Sequence, residues 1–109
     1  MAQTSTQSKV PASVSNIAVG RYINGVTAAS FYITTGFKPR HVRVINNTSF
    51  DELNWFEGMA DASGWKRLAA GTATAIASLG ITPSANGFTV GLDTDINVLS
   101  EQLSWIAIG

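Results

Sequence analysis

The chain contains no cysteine, and this absence removes several kinds of chemistry at once. Disulfide bonds, thiolate metal sites and cysteine nucleophiles are all excluded. His41 is the single histidine, which also excludes most metal centres and triads, and no Gly-x-Ser-x-Gly nucleophile elbow occurs. We therefore expect no cofactor, no bound metal and no enzymatic activity.

Charged residues are scarce and balanced. They make up 13% of the chain, against about 25% in ordinary globular proteins. Seven basic residues cancel seven acidic ones, so net charge favours neither nucleic acid nor an anionic membrane as a partner. A surface with few charges and no net charge promotes association. The composition therefore predicts a subunit of a larger assembly.

No long hydrophobic run is present either. Hydrophobic residues reach 45% of the 109 residues, but no apolar stretch approaches the roughly 20 residues that span a bilayer. Residues 1–10 lack the apolar core of a signal peptide. We expect a soluble chain with no processed leader, of a length that suits one domain.

The first sixteen residues differ in composition from the rest of the chain. The segment MAQTSTQSKVPASVSN is rich in Ser, Thr and Gln and contains no Leu, Ile, Phe, Tyr or Trp. Burial cannot offset the entropy of ordering such a segment by itself. Residues 1–16 are therefore read as an extended N-terminal arm, which either orders on a partner or remains a loose terminus.

From residue 17 onward, short β-branched and aromatic segments alternate with Gly and Asn at a spacing typical of a sandwich or barrel. Asn24-Gly25 and Ala85-Asn86-Gly87 have the composition of tight turns. The segment Gly71–Gly80 fits either a strand or short helical turns. The predicted strands are Ile17–Ile23, Ala29–Thr35, Arg40–Asn46, Leu53–Met59, Trp65–Ala69, Ile81–Pro83, Gly87–Gly91, Ile96–Leu99 and Leu103–Ile108. Residues 17–109 are thus predicted to form an all-β, single-domain antiparallel β-sandwich.

The clearest alternation lies around the histidine. Val42 and Val44 share one face of a strand, while His41 and Arg43 take the other. Three of the seven basic residues cluster here, at Lys38, Arg40 and Arg43. If this strand forms a hairpin with the segment Leu53–Met59, the basic side chains can meet Asp51, Glu52 and Glu57 across the strands or between subunits.

Large aromatic rings flank the acidic segment. Trp55 and Phe56 are neighbours in a strand and must point to opposite faces, so one of them belongs to the core. The other, together with Trp65, is a candidate for a partner interface. In the closing strand, Leu103, Trp105 and Ala107 alternate with Ile106 and Ile108, which predicts a central strand covered on both faces.

The segment Asp93-Thr94-Asp95 begins like a calcium-binding loop. The remaining acidic ligands and the closing glutamate are missing at the required spacing. A turn with capping carboxylates is the preferred interpretation.

Several runs together resemble small virion structural proteins of tailed bacteriophages. They are Thr34-Thr35-Gly36-Phe37-Lys38-Pro39-Arg40-His41-Val42-Arg43-Val44-Ile45-Asn46, Trp55-Phe56-Glu57-Gly58-Met59-Ala60, Gly80-Ile81-Thr82, Gly87-Phe88-Thr89-Val90-Gly91 and Trp105-Ile106-Ala107. Within that group, the chain is most similar to capsid decoration (cement) proteins. The resemblance implies a compact β-sandwich or jelly-roll-like fold in trimers or other small symmetric clusters, and it transfers no catalytic residue.

The expected function is therefore binding to the major capsid protein lattice on the outer surface of the virion, after synthesis in the host bacterial cytoplasm. Expected partners are the major capsid protein and the chain itself, as a homotrimer or another small symmetric oligomer. The candidate interface residues are Val10, Lys38, Arg40, Arg43, Trp55, Phe56, Glu57 and Trp65. The alternative is a host-recognition module at a tail-fibre tip, which would bind cell-surface glycan through aromatic rings and turn asparagines.

Overall fold

A computed structural model describes residues 16–23, 25 and 29–109. Within these residues the chain forms eight β-strands and no helix. The strands are β1 (Ile17–Ile23), β2 (Phe31–Thr34), β3 (His41–Asn46), β4 (Glu52–Phe56), β5 (Ser63–Arg67), β6 (Ala73–Ser84), β7 (Gly87–Val90) and β8 (Gln102–Ile108). The predicted arm lies outside the described residues, apart from Asn16.

All the strands hydrogen-bond into one sheet in the order β1-β8-β3-β4-β5-β6-β7-β2. Every neighbouring pair is antiparallel. The all-β antiparallel prediction is confirmed, because short segments rich in β-branched and aromatic residues fit a pleated surface. The single continuous order does not confirm a sandwich of two separate sheets or a jelly roll.

Consecutive strands from β3 to β7 are joined as hairpins. The Ala85-Asn86 turn connects β6 to β7 as predicted, with Ser84 opposite Gly87. Asn24, in the predicted Asn24-Gly25 turn, lies outside the described residues. β1 does not pair with the next strand along the chain. β1 pairs with β8 instead, and β2 pairs with β7 at the far edge of the sheet.

The strand β6 settles the ambiguous segment Gly71–Gly80 in favour of extended structure, and it contains the main irregularity of the sheet. Ile76 pairs with Gly64, whereas Ile81 pairs with the adjacent Ser63. Four residues of β6 thus have no paired counterpart on β5, and among them Leu79 has a φ of 62°. Extra residues of this kind bend a strand and increase its twist.

The core lies on the concave side of the curled sheet. Phe88 on β7 and Trp105 on β8 meet edge to face, with ring centroids 5.4 Å apart, although these strands are far apart in the strand order. The two halves of the sheet therefore pack against each other around one core. Its buried members are Ile33, Val42, Val44, Leu53, Trp55, Ile81, Phe88, Val90, Ile96, Leu103 and Ala107.

Side chains from the two edge strands of the sheet contact each other at one point. Tyr22 on β1 stacks on Phe31 on β2, with centroids 4.1 Å apart and ring planes 6° apart. The Tyr22 hydroxyl is buried and finds no hydrogen-bond partner among the described residues. Burial raises the pKa of that hydroxyl, since the charged phenolate would lose its hydration.

The segment Ile96–Leu99, predicted as a strand, is a turn. The Asp93 carbonyl accepts hydrogen bonds from the backbone N–H groups of Ile96 and Asn97, at 3.2 Å and 3.0 Å. The Asn97 side chain is buried and donates to the Val90 and Gly91 carbonyls. Ile96 is apolar because its side chain lies in the core, and this burial does not require a strand.

Candidate interaction surface

The convex side of the sheet carries aligned rows of outward-facing side chains across β1, β8, β3 and β4. Paired residues in adjacent strands share a face. The rows are Ile17-Ile108-His41-Phe56, Val19-Ile106-Arg43-Asn54 and Arg21-Ser104-Ile45-Glu52. We call this surface, together with Ile23 at the end of β1, the outer face.

Just over half of the outer-face residues are apolar, and those on β1 are the most open to solvent. The exposed fraction is 70% for Val19 and 58% for both Ile17 and Ile23. Arg43, Ile45, Ser104, Trp105 and Ile106 line a shallow depression between β3 and β8. The prediction that β8 is covered on both faces is therefore wrong for its outward side, although the strand does lie between two others.

Trp55 and Phe56 separate as neighbours in a strand must. Trp55 is only 4% exposed, and its indole Nε1 donates to the Ala60 carbonyl at 3.1 Å. Phe56 is 50% exposed on the outer face. This placement corrects the expectation that Trp55 contacts a partner, because its ring is used inside the core.

Phe56 is held in place by the histidine. The two rings stack with centroids 4.4 Å apart, and the Nδ1 atom of His41 lies 3.1 Å from the Trp55 carbonyl oxygen. His41 thus lies on the outward face of its strand, as the alternation predicted. It supports the exposed ring of Phe56, which lies on β4, a strand that the core already holds in place.

One ion pair crosses the β3–β4 hairpin at the centre of the outer face. The Arg43 guanidinium donates from Nη2 and Nε to the Glu52 carboxylate, at 2.6 Å and 3.2 Å. The predicted hairpin is confirmed, and its basic-to-acidic pairing is confirmed for Arg43 with Glu52. An exposed pair of this kind adds little stability, but it leaves a polar centre within an apolar surface.

The other predicted interface residues are spread around this surface. Trp65 on β5 is 46% exposed and pairs with Asn54, so it extends the middle row beyond β4. Arg40 is half-buried and donates from Nη2 to the Gly109 carbonyl at 2.8 Å. Lys38 and Glu57 are exposed. Val10 lies outside the described residues.

A partly buried ionic cluster on the concave side was not predicted from the sequence. The Lys66 ammonium lies 3.2 Å and 3.1 Å from the two Asp93 carboxylate oxygens and 2.8 Å from Asp95 Oδ2. The hydrogen bond to Asp95 is the main cause that raises the pKa of Lys66, and contacts with Asp93 add to it. The lysine side chain is 12% exposed.

This cluster explains the segment that begins like a calcium loop. Its two carboxylates converge on a positive charge, and that charge belongs to the lysine of the chain itself. The Asp93 Oδ1 atom also accepts the Asp95 backbone N–H at 2.9 Å, as in a capped turn. The two aspartates were noticeable in the sequence, but no residue near them indicates that their partner is Lys66, 27 residues away.

The described residues hold no group of three or more His, Asp or Glu side chains arranged to bind a metal ion. They also include no helix long and apolar enough to cross a bilayer. Comparisons of the chain with protein-family models, with curated proteins and with solved structures found no match.

Proposed function

We propose that this chain is a decoration protein of a tailed-bacteriophage capsid, which binds the major capsid protein lattice from outside and stabilises the head. The resemblance of its motifs to cement proteins suggests the class. The outer face supports binding as the activity, since exposed apolar side chains lie in register across it.

The observation that carries the proposal is the exposure of the outer face. Large apolar side chains rarely form contiguous exposed patches on a free monomer, and such patches mark interaction sites. Here they lie in register across four adjacent strands, with Val19, Ile17 and Phe56 at least half exposed. The scarcity of charge in the chain as a whole, at 13%, agrees with a molecule that works in contact with neighbours.

In this proposal Phe56 is the main anchor. Its ring is exposed yet fixed by the stack on His41, so binding costs little side-chain entropy. The Arg43–Glu52 pair presents one positive and one negative charge on the same face as Phe56, and these charges set the orientation of the partner. Lys38, Arg40, Glu57 and Trp65 form the surrounding contacts, and further copies of the chain complete a small oligomer on the lattice.

The direct test adds the purified chain to capsids that lack it and counts bound copies by cryo-electron microscopy. We expect symmetric occupancy of sites on the outer surface, each with about 1,600 Å² of buried area. Heads that acquire no ordered density at saturating concentration contradict the proposal. Binding to intact host cells instead would assign the chain to the tail-fibre alternative.

A matched pair of variants tests which surface binds. Phe56→Ser removes the anchor from the outer face, whereas Phe50→Ser removes a ring from the β3–β4 loop that is more exposed, at 64% against 50%. Loss of a central aromatic anchor costs about 2 kcal/mol, or roughly thirtyfold in affinity. We expect that loss for Phe56→Ser and near-normal affinity for Phe50→Ser. Equal affinities for the two variants would exclude Phe56 as the anchor.

A further inference from the structure

The strand β1 has one edge paired with β8 and one edge that no described strand covers. The Gly109 N–H donates to the Asn16 carbonyl at 2.8 Å. Hydrogen-bonded and non-hydrogen-bonded pairs alternate along an antiparallel ladder. The even-numbered residues of β1 therefore bond to β8, and the odd-numbered residues direct their N–H and C=O groups toward the open edge. These residues are Ile17, Val19, Arg21 and Ile23.

This edge has few of the features that usually prevent strands from pairing. Natural edge strands are short, or carry charged residues, proline or bulges. β1 is seven residues long, regular in its alternation and free of proline, and Arg21 is its single charged residue. The opposite edge is different, because β2 has only four residues.

We infer that β1 is a self-association edge: a second copy of this chain pairs antiparallel with it, main chain to main chain. The register that pairs all seven residues has its two-fold axis at Gly20. It sets Ile17 opposite Ile23 of the second copy and Val19 opposite Arg21 of the second copy. The two-fold axis repeats each of these pairs, which makes four pairs in all. Each pair exchanges two hydrogen bonds, so about eight form across the axis.

The side chains favour a second copy over an unrelated strand. In this register the outward residues Ile17 and Ile23, each 58% exposed in the monomer, cover one another across the axis. The aliphatic stem of Arg21 lies against Val19, which is 70% exposed. An isologous contact uses the same patch twice and closes after two copies.

Such pairing would make one continuous sheet from two copies, with their outer faces side by side. It is independent of the proposed capsid binding, because it uses the edge of β1 and is measured on the purified chain alone. In the capsid setting it would double the number of outer faces that bind together, which raises avidity.

A proline substitution can prevent edge pairing without disturbing the fold. Val19→Pro removes an N–H that points to the open edge and that β8 does not use, and proline is tolerated on an edge of this kind. Val19→Thr keeps the N–H and the β-branched shape, and serves as the control. Analytical ultracentrifugation should show a dimer for the parent chain and for Val19→Thr, and at least a tenfold weaker dimer for Val19→Pro. A parent chain that remains monomeric at millimolar concentration overturns the inference.

Cysteine cross-linking tests the register, and the absence of native cysteine makes it clean. Two single variants, Ile17→Cys and Ile23→Cys, are oxidised separately and then as a mixture. We expect disulfide-linked dimers in the mixture at least tenfold above either variant alone, because residue 17 faces residue 23 of the other copy. Efficient cross-linking of Ile17→Cys alone would indicate parallel pairing or another interface, and would overturn the inference. So would a mixture that cross-links no better than its components.

Discussion

The adjacent strands β4 and β5 use their two faces in opposite ways. On β4, an aromatic ring points inward at Trp55 and a second ring points outward at Phe56. On β5, the outward residue is aromatic, at Trp65, and the inward residue is the charged Lys66, which is 12% exposed. The two strands pair directly, with Leu53 opposite Lys66.

The difference shows that partners decide which side chain is buried. Trp55 has apolar neighbours and one carbonyl acceptor for its indole N–H. Lys66 enters the concave side because Asp93 and Asp95 meet its charge there. A buried charge is tolerated only with such compensation, so the inward faces of β4 and β5 should respond to substitution through different mechanisms.

The largest effect is expected for Trp55→Ala. It opens a cavity beneath β4 and removes the hydrogen bond to the Ala60 carbonyl, at a cost of about 4 kcal/mol in the free energy of unfolding. Chemical denaturation measures this loss. Phe56→Ala on the same strand is the control and should cost under about 1 kcal/mol. Equal losses would show that the two faces of β4 do not differ in energetic role.

The next effect is expected for Lys66→Met, which keeps the length of the side chain but leaves Asp93 buried without its cation. Breaking a buried pair from one side costs about 3 kcal/mol. The double variant Lys66→Met/Asp93→Asn should recover most of that loss, because the amide carries no charge and retains Oδ1 to accept the Asp95 N–H. Failure of the double variant to recover stability would contradict the assignment of the loss to the unpaired charge of Asp93.

Alkaline pH should destabilise the protein through two groups whose pKa values are raised. Lys66 and Tyr22 hold their protons more tightly in the folded chain than in the unfolded chain. The stability that they add is complete below their unfolded pKa values, about 10.4 and 10, and is lost as pH rises toward the folded values.

Denaturation at a series of pH values above 10 measures this loss. Each group contributes a slope of at most about 1.4 kcal/mol per pH unit. Lys66→Met and Tyr22→Phe should each reduce the slope of the parent chain, and the double variant should reduce it further. Slopes unchanged by both substitutions would contradict the assignment of the alkaline transition to these groups.

The smallest effect is expected for Trp65→Thr. Its ring is 46% exposed, and threonine suits a strand, so the free energy of unfolding should change by less than about 0.5 kcal/mol. Affinity for capsids should fall more than stability does. A loss of stability comparable to that of Trp55→Ala would place Trp65 among the core residues after all.

Local patterns in the sequence predicted much of the fold. The alternation from His41 to Ile45 identified a half-buried strand, and Ala85-Asn86 identified the turn between β6 and β7. Which strands pair over long distances was not predictable, because nothing near β1 specifies β8 as its neighbour. The turn at Ile96 was missed because the backbone N–H groups of Ile96 and Asn97 bond to the Asp93 carbonyl rather than to a neighbouring strand.

The outer face was predictable only in part. Opposite orientations for Trp55 and Phe56 follow from strand geometry, but which ring is buried depends on how the sheet curls. The inward orientation of Lys66 could not be inferred, since its partners at Asp93 and Asp95 are distant in the chain. Rows such as Val19-Ile106-Arg43 emerge only when the register of three strands is known.

The position of β8 constrains the timing of folding during synthesis. This strand lies between β1 and β3, so until residues 102–108 have left the ribosome β1 has no neighbouring strand and β3 pairs with β4 alone. The hairpins from β3 to β7 can form first, because their pairings are local. The nascent chain must therefore keep β1 unpaired until β8 has been synthesised, so the pairing of β1 with β8 follows the formation of the hairpins.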